Sequence, residues 1–517
     1  MVLIRSDRKR IRDKEEAMEW RFSQVFGERT PGEEIEDVDI ISAIEFDKCG
    51  KYIATGDHGG RVVLFKRTNA KDFDDEKQVF SRKMLEHMDY HVAEPPKYSY
   101  ITEFQSHEPE FDYLKSLEIQ EKITELRWCT SSNDSLFILS TNDRTIKLWK
   151  VSDCKVKKTK ETDHLSQHVS SENSLLAEQS FIADPNNMTI SNGYRLEWIN
   201  KKPDYASPSF RENWNTMLND LETSTARCRR VFSHAHDFNI NSISTNSDAE
   251  TFISADDLRI NLWNLEITNQ CFNILDMKPF DMEDLVEVIT SAEFHPSHCN
   301  LLAYSSSRGF LRLVDMRRAA LCDQNARILQ DREAHGSRSF FTEIVASISD
   351  IKFAKDGRHI LSRDYMNLKL WDLHMENAPI ATFKMHEHLR PKLSELYTSD
   401  SIFDKFDCCL SMDGRHFASG TYGNTFRVFS LDGGHDDVLT LEASKTPNRA
   451  SHLQAAPKAK RLLASLARTQ NRRESDSIFS GKGMSSGFQS KIIHLAWHPT
   501  ENLIACAAAN SLYTFHA

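Results

Sequence analysis

The sequence predicts an all-β fold, a seven-bladed β-propeller with an extended hairpin at blade 2 and flexible insertions. Three observations carry that expectation. One strand pattern recurs seven times, apolar and polar residues alternate with period two inside the copies, and six of the seven copies close on an aromatic residue. The copies occupy residues 43–65, 125–149, 242–263, 291–315, 350–372, 408–429 and 494–515. Each reads as a short strand, a polar turn with Asp, Gly or Asn, a second strand ending in small residues, another turn and a third strand. Alternation is plainest in Thr145-Ile146-Lys147-Leu148-Trp149 and Asn367-Leu368-Lys369-Leu370-Trp371, where successive side chains must point to opposite faces.

The pattern resembles the WD-repeat signature of a propeller blade, in which four strands form a small sheet and the sheets stack around a channel. On that resemblance the closing aromatics Phe65, Trp149, Trp263, Trp371, Phe429 and Phe515 are core between blades, with Asp315 standing in the fourth copy. The seventh copy ends at the C-terminus and needs an outer strand from elsewhere. Residues 19–26 (EWRFSQVF) are suited to supply it, which would remove an exposed sheet edge. Residues 19–517 are therefore expected to be one propeller, preceded by a flexible extension over 1–18.

The spacing between copies is uneven, and long gaps are where function is grafted onto a scaffold. Gap 66–124 ends in KYSYITEFQSHEPEFDYLKSLEIQEKIT, read as an elongated hairpin reaching out of blade 2. Gap 152–240 holds a Ser/Asn-rich tract over about 158–225, and gap 430–493 a basic stretch low in aromatics; both are expected to be loops.

The net charge is −11, but residues 5–14 and 445–473 carry +4 and +8, so the rest of the chain holds about −23 and should attract basic partners. No apolar run is long enough to span a bilayer, and the N-terminus lacks the apolar stretch of a signal peptide. Ten cysteines show no C-x-x-C pair, which fits reduced thiols and residence in the cytoplasm and also the nucleus.

Several stretches look like chemistry without its companions. Gly56-Asp57-His58-Gly59-Gly60 resembles a metallophosphatase element in composition, yet the further ligands that two metals need are missing, so it reads as a blade turn. His234-Ala235-His236 and His386-Glu387-His388 lack partner ligands and read as structural, and the His-Pro pairs at 295–296 and 498–499 fall at turns. No P-loop, G-x-S-x-G or G-x-G-x-x-G occurs, and the basic segments lack interleaved aromatics. No enzyme, cofactor, metal, nucleic acid or membrane is indicated.

WRFSQVFGE, ADDLRINLWNLEIT, FQSHEPEFDYLKSLEI, STNDRTIKLWK, SRSFFTEI, SIFDKF and TLEAS go beyond the generic repeat. Together they resemble the B-type, WD-repeat regulatory subunits of protein phosphatase 2A from about Trp20 to the end. That resemblance implies a heterotrimer in which a helical-repeat scaffold (A) subunit and a metal-bearing catalytic (C) subunit are joined by a propeller that selects phosphorylated protein substrates with basic segments. It implies a scaffold handle at Phe104, His107, Glu108, Pro109, Phe111, Tyr113 and Leu114. It also implies a substrate groove at Asp37, His58, Glu121, Lys122, Asp257, Leu285, Arg390, Tyr397, Asp400 and Lys405. Asp256 is read as fixing its turn and Asp257 as the recognition residue. His58 stands where the family commonly has Lys or Arg, and Gln120 where it often has Glu. The repeats alone are equally compatible with an adaptor of another class, a ubiquitin-ligase receptor or a chromatin reader.

Overall fold

The computed structural model describes residues 18–27, 35–68, 96–113, 115–130, 135–152, 225–319, 321–322, 326–331, 339–375, 377–431, 438–445 and 488–517. The extension 1–17, nearly all of the 158–225 tract and most of the basic gap before residue 488 lie outside them.

Seven four-stranded antiparallel sheets form the blades of one ring. From the inner strand outward, blade 1 runs Ile41–Phe46, Tyr52–Asp57, Arg61–Thr68 and Lys97–Gln105. Blade 2 is Glu125–Cys129, Leu136–Thr141, Ile146–Ser152 and Thr225–Phe232, and blade 3 is Ser242–Thr245, Thr251–Ala255, Arg259–Asn264 and Ile267–Asp276. Blade 4 is Ile289–Phe294, Leu301–Ser306, Leu311–Asp315 and Arg327–Leu329, and blade 5 is Ile348–Phe353, His359–Asp364, Asn367–Asp372 and Ala381–Lys384. Blade 6 is Cys408–Leu410, His416–Thr421, Thr425–Ser430 and Val438–Glu442. Blade 7 takes Leu495–Trp497, Leu503–Ala508 and Ser511–His516 from the C-terminus and Arg21–Phe26 from the N-terminus, so both ends of the chain share one sheet.

Alternation within each strand leaves both faces of a blade apolar, and neighbouring blades bury clusters between them. Ala54, Leu64, Leu126 and Trp149 join blades 1 and 2, Ile253 and Leu302 join blades 3 and 4, and Phe65, Ala505 and Leu512 join blades 7 and 1. The aromatics expected between blades are all buried. Asp315, in the place of the seventh, instead pairs with Arg317.

The inner strands face the channel and have no further strand to pair with, so side chains of one blade satisfy the backbone of the next. Glu125 accepts from Ile243 N–H, Ser242 from Ala292 N–H at 2.9 Å, Glu293 from Phe353 N–H at 2.7 Å and Asp350 from Cys408 N–H at 3.0 Å. Arg127 ties Glu45 of blade 1 (2.9 Å) to the Ile243 carbonyl of blade 3 (3.1 Å). Two histidines of the His-Pro pairs act as latches: His295 Nε2 donates to Gly357 O at 2.8 Å between blades 4 and 5, and His498 Nε2 donates to Gly50 O at 3.1 Å between blades 7 and 1. Gly50 has a φ of 69°, and a Cβ there would lie 1.8 Å from His498 Nε2.

Two sequence expectations need correction. Residues 97–105 are not part of an elongated hairpin; they are the outer strand of blade 1, paired from Arg61↔Gln105 to Thr68↔Lys97. The hairpin is the short pair Glu110–Asp112 with Leu117–Ile119 in the connection from blade 1 to blade 2. Likewise Thr225–Phe232 and Val438–Glu442, inside gaps read as loops, are outer strands. An outer strand has a solvent-facing side, and TARCRRVF shows little apolar alternation until it is seen paired to its blade.

The latch and the axial carboxylates each give a measurable outcome. Gly50→Ala should cost about 2–4 kcal/mol, combining left-handed backbone strain with loss of the latch, while Gly423→Ala should cost only about 1 kcal/mol. The control is apt because Gly423 has a φ of 75° and open space around its Cβ position; unfolding midpoints in denaturant check the difference. Burial pushes the Glu293 carboxyl up to about 7 despite nearby Lys352 and Arg127. A carboxyl whose pKa is raised on folding stabilises fully below its unfolded value and loses that contribution as pH rises through the folded value. Relative to Glu293→Gln, the parent should therefore lose on the order of 2–3 kcal/mol between about pH 4.5 and 8, read from denaturation at several pH values.

Candidate protein-binding face

Strand directions alternate, so the turns between second and third strands emerge on the same side of the ring as the connections from an outer strand to the next inner strand. Every substrate-groove residue expected from the sequence lies on this loop face. The turns there are shaped by Asp or Asn. Asp256 Oδ1 accepts from Leu258 N–H (2.8 Å) and Arg259 N–H (2.6 Å), and Asn142 and Asp364 do the same in blades 2 and 5.

In blade 3 this turn is bonded inward by a buried network. Asp256 Oδ2 lies 2.8 Å from His236 Nδ1, His236 Nε2 lies 2.6 Å from Ser254 Oγ, and Trp263 Nε1 donates to Ser254 Oγ at 2.8 Å. Asp256 is fully buried and both its oxygens are occupied, whereas Asp257 is half-buried beside it. Burial raises the Asp257 pKa, against the pull of the Lys405 ammonium. Asp57 of the GDHGG turn is spent in the same structural way, on Arg61 N–H and Nε at 2.8 Å each. Among the described residues no group of three or more His, Cys, Asp or Glu side chains is arranged to hold a metal ion.

A second group lies on the loop face of blades 1 and 2. Asp37, on the one-turn 3₁₀ helix Asp37–Asp39, points a largely exposed carboxylate at His58 Nδ1, 3.7 Å away. Burial and then Lys122 lower the His58 pKa, with Asp37 opposing. Lys122 is itself lowered by burial, countered by Asp143 and Asp37. Glu121 is half-buried next to it.

The connection from blade 5 to blade 6 builds a third group. The 3₁₀ turn Glu387–Lys392 and the helix Leu393–Thr398 drop Leu389, Leu393 and Leu396 into a small core with Tyr365, Met366, Ile402 and Phe406. The same helix therefore turns Tyr397 outward. Its ring meets Phe340 (5.4 Å between centroids), Phe341 (6.1 Å) and Phe403 (5.9 Å). Phe340, Tyr397 and Phe403 are 61%, 42% and 53% exposed, an aromatic platform rather than core. Phe340 and Phe341 are held by the helix Phe340–Val345, capped by Ser339 through a reciprocal bond with Thr342. Sequence reasoning missed Phe340, Phe341 and Phe403 although it singled out the SRSFFTEI and SIFDKF stretches, because only the fold brings them to Tyr397. Arg390 pairs with Glu387 at 3.0 Å, Asp400 sits exposed at a φ of 57°, and Leu285 is half-buried after the turn Met282–Asp284.

The expected scaffold handle divides. Phe111 (46% exposed) and Tyr113 (85%) stand on the hairpin with ring centroids 5.0 Å apart, and Glu108 and Pro109 are exposed at its base. Phe104 and His107 do not belong with them. Phe104 packs on Trp149 at 4.6 Å as part of the core between blades 1 and 2. His107 is buried, its Nε2 donating to Thr145 O at 3.0 Å and its Nδ1 facing Ser106 Oγ at 3.1 Å; burial pushes its pKa down to about 3. Leu114 lies outside the described residues.

The family model described as "WD domain, G-beta repeat" matches residues 226–264. That window contains the whole Asp256–His236–Ser254–Trp263 network. Over 502 residues, and 97% of each chain, the protein is 57% identical to the beta isoform of the 55 kDa B regulatory subunit of serine/threonine protein phosphatase 2A from Arabidopsis thaliana. It is likewise 57% identical to the alpha isoform from Oryza sativa subsp. japonica, covering 97% of this chain and 85% of that one. With the PP2A B regulatory subunit of Schizosaccharomyces pombe it shares 45% identity over 96% of this chain and 97% of that one. The chain belongs to the B regulatory subunits of protein phosphatase 2A. Members of this family are regulatory, and the chain is not itself an enzyme.

The two neighbouring aspartates separate structure from recognition experimentally. Asp256→Ala should lower the stability of the propeller by about 3 kcal/mol, since it strands two backbone N–H groups and a buried imidazole, whereas Asp257→Ala should cost under about 1 kcal/mol. Denaturation midpoints of the two variants check this.

Proposed function

We propose that this regulatory subunit grips a helical-repeat scaffold subunit through the 110–119 hairpin and presents phosphoserine and phosphothreonine proteins with basic flanks to a separate catalytic subunit. The observation that carries the reading is the meeting, on one face, of carboxylates at Asp37, Asp257 and Asp400 with the aromatic platform around Tyr397. The carboxylates attract Lys and Arg beside a phosphosite and raise the encounter rate. Each exposed charge contact contributes only about 0.2–1 kcal/mol, so apolar anchorage on Tyr397, Phe340 and Phe403 supplies the remainder. Lys122, Arg390 and Lys405 on the same face repel substrates whose basic residues fall in the wrong register. Tethering then replaces a bimolecular encounter with an intramolecular one, and the catalytic subunit performs the hydrolysis.

The hairpin reading rests on exposed aromatic area. Tyr113 and Phe111 project from a two-stranded ribbon, and among the described residues each ring has only the other as an aromatic neighbour. A rigid aromatic pair of this kind docks in a partner's pocket.

In a reconstituted trimer, Asp257→Lys should lower kcat/KM for a basic-flanked phosphopeptide about tenfold and leave scaffold capture intact. Unchanged turnover would remove Asp257 from recognition. Conversely, Phe111→Ala with Tyr113→Ala should abolish scaffold capture in a pull-down while leaving the unfolding midpoint unchanged; full capture would remove the hairpin from the interface.

A further inference from the structure

The side of the ring away from the loop face carries the turns between first and second strands and the connections from third to outer strands. Between blades 4 and 5 these enclose a pocket of about 380 Å³ whose lining includes Arg317, Arg318, Arg327 and Arg358. On a body that is otherwise strongly acidic, four guanidinium groups converging on one cavity stand apart.

The acids that accompany them are committed to local bonds. Asp315 takes Arg317 Nε (3.0 Å) and Nη2 (2.8 Å), and Asp372 takes Arg358 Nε (3.0 Å) and Nη2 (2.5 Å) on one oxygen. Asp356 accepts from Arg358 N–H at 2.8 Å and faces His359 Nδ1 at 2.6 Å. A carboxylate held this way uses two of the five N–H donors of a guanidinium and orients the rest, so the pairing aims Arg317 and Arg358 rather than silencing them. Arg327 Nη2 donates to Leu373 O at 2.8 Å, which fixes blade 4 to blade 5 across the pocket. Arg318 forms no ion pair among the described residues. The Asp315 carboxyl is held down at about 2, first by its hydrogen bonds to Arg317 and last by Arg318. The base is rigid, because the His295–Gly357 latch closes the seam between the two blades beneath it.

We propose that this pocket is a second docking site, which takes the phosphate of a phosphorylated segment of a partner protein on the side of the propeller opposite the loop face. A tetrahedral dianion matches forked, pre-oriented guanidinium donors, and the concavity admits one phosphorylated side chain. An anionic bilayer is the poorer occupant: the chain's net charge of −11 opposes an extended negative surface, whereas a single phosphorylated side chain enters the pocket alone. Binding here is independent of the groove assigned above and is measured without turnover.

The test uses the full chain immobilised and challenged with a phosphoserine-centred peptide library free of Lys and Arg, which the acidic loop face does not attract, the same library unphosphorylated, inorganic phosphate as competitor, and phosphatidylcholine vesicles containing a phosphoinositide. The phosphorylated library should be retained, the unphosphorylated one and the vesicles should not, and millimolar phosphate should displace the retained peptides. Arg317→Glu with Arg318→Glu should reduce retention at least tenfold and Arg318→Ala alone severalfold. Arg229→Glu, an exposed arginine on the outer strand of blade 2, should leave retention unchanged. Equal retention by the parent and the Arg318→Ala chain, retention without regard to phosphorylation, or preferential capture of vesicles would each overturn the proposal.

Discussion

The inner strand of each blade borders the channel, and its backbone N–H and C=O groups on that edge have no further strand to meet. An unsatisfied buried amide costs about 1–3 kcal/mol, so a ring of seven such edges would be untenable without partners. The protein supplies them from the preceding blade: Glu125, Ser242, Glu293 and Asp350 each accept from the inner strand of the next. Arg127 and Lys352 balance part of the resulting negative charge, Lys352 lying 3.3 Å from Asp350. The blades are therefore stitched at the axis by polar contacts and glued across their faces by apolar clusters. Closure depends on the last seam, where strand Arg21–Phe26, the His498 latch and the Phe26–Phe65 contact at 4.5 Å join the two ends of the chain.

A ring stabilised this way has little need of its loops, which leaves one face free to vary. The buried Asp256–His236–Ser254–Trp263 network shows how the free face is still held firmly. It anchors a turn from within, so that the half-buried Asp257 beside it is held in place without the turn drifting. The blade 5 to blade 6 connection does the same with apolar anchors, burying Leu393 and Leu396 so that Tyr397 is presented. Both arrangements yield rigid groups at low entropic cost, which is what selective but non-catalytic binding requires.

How much is legible in advance follows from where each signal is written. Strands buried on two faces carry strong alternation, so the seven blade cores, the closing aromatics and the turn-fixing role of Asp256 are readable from spacing and turn chemistry. The outer strands Thr225–Phe232 and Val438–Glu442 are not, since their solvent-facing sides dilute the period; Lys97–Gln105 is legible as a strand but not as the outer strand of blade 1, because its partner Arg61–Thr68 lies across a long gap. Phe104 and His107 mislead for a related reason. They adjoin an exposed hairpin in sequence, yet in space one belongs to the core against Trp149 and the other to the buried bonds around Ser106. The motif they share with the hairpin is continuous in the chain and discontinuous in burial.

By itself the sequence determined the repeat, the number of blades, the lack of any catalytic motif and the resemblance to phosphatase regulatory subunits, because periodicity, turn residues and long motifs are local properties of the chain. Only the tertiary structure decided which aromatic residues are core and which form a platform, which histidines are latches, and that four arginines from two blades share a pocket. Those facts depend on contacts between residues as far apart as Phe340 and Tyr397 or Gly50 and His498. Such contacts are created by the closure of the ring and leave no trace in the spacing of neighbouring residues.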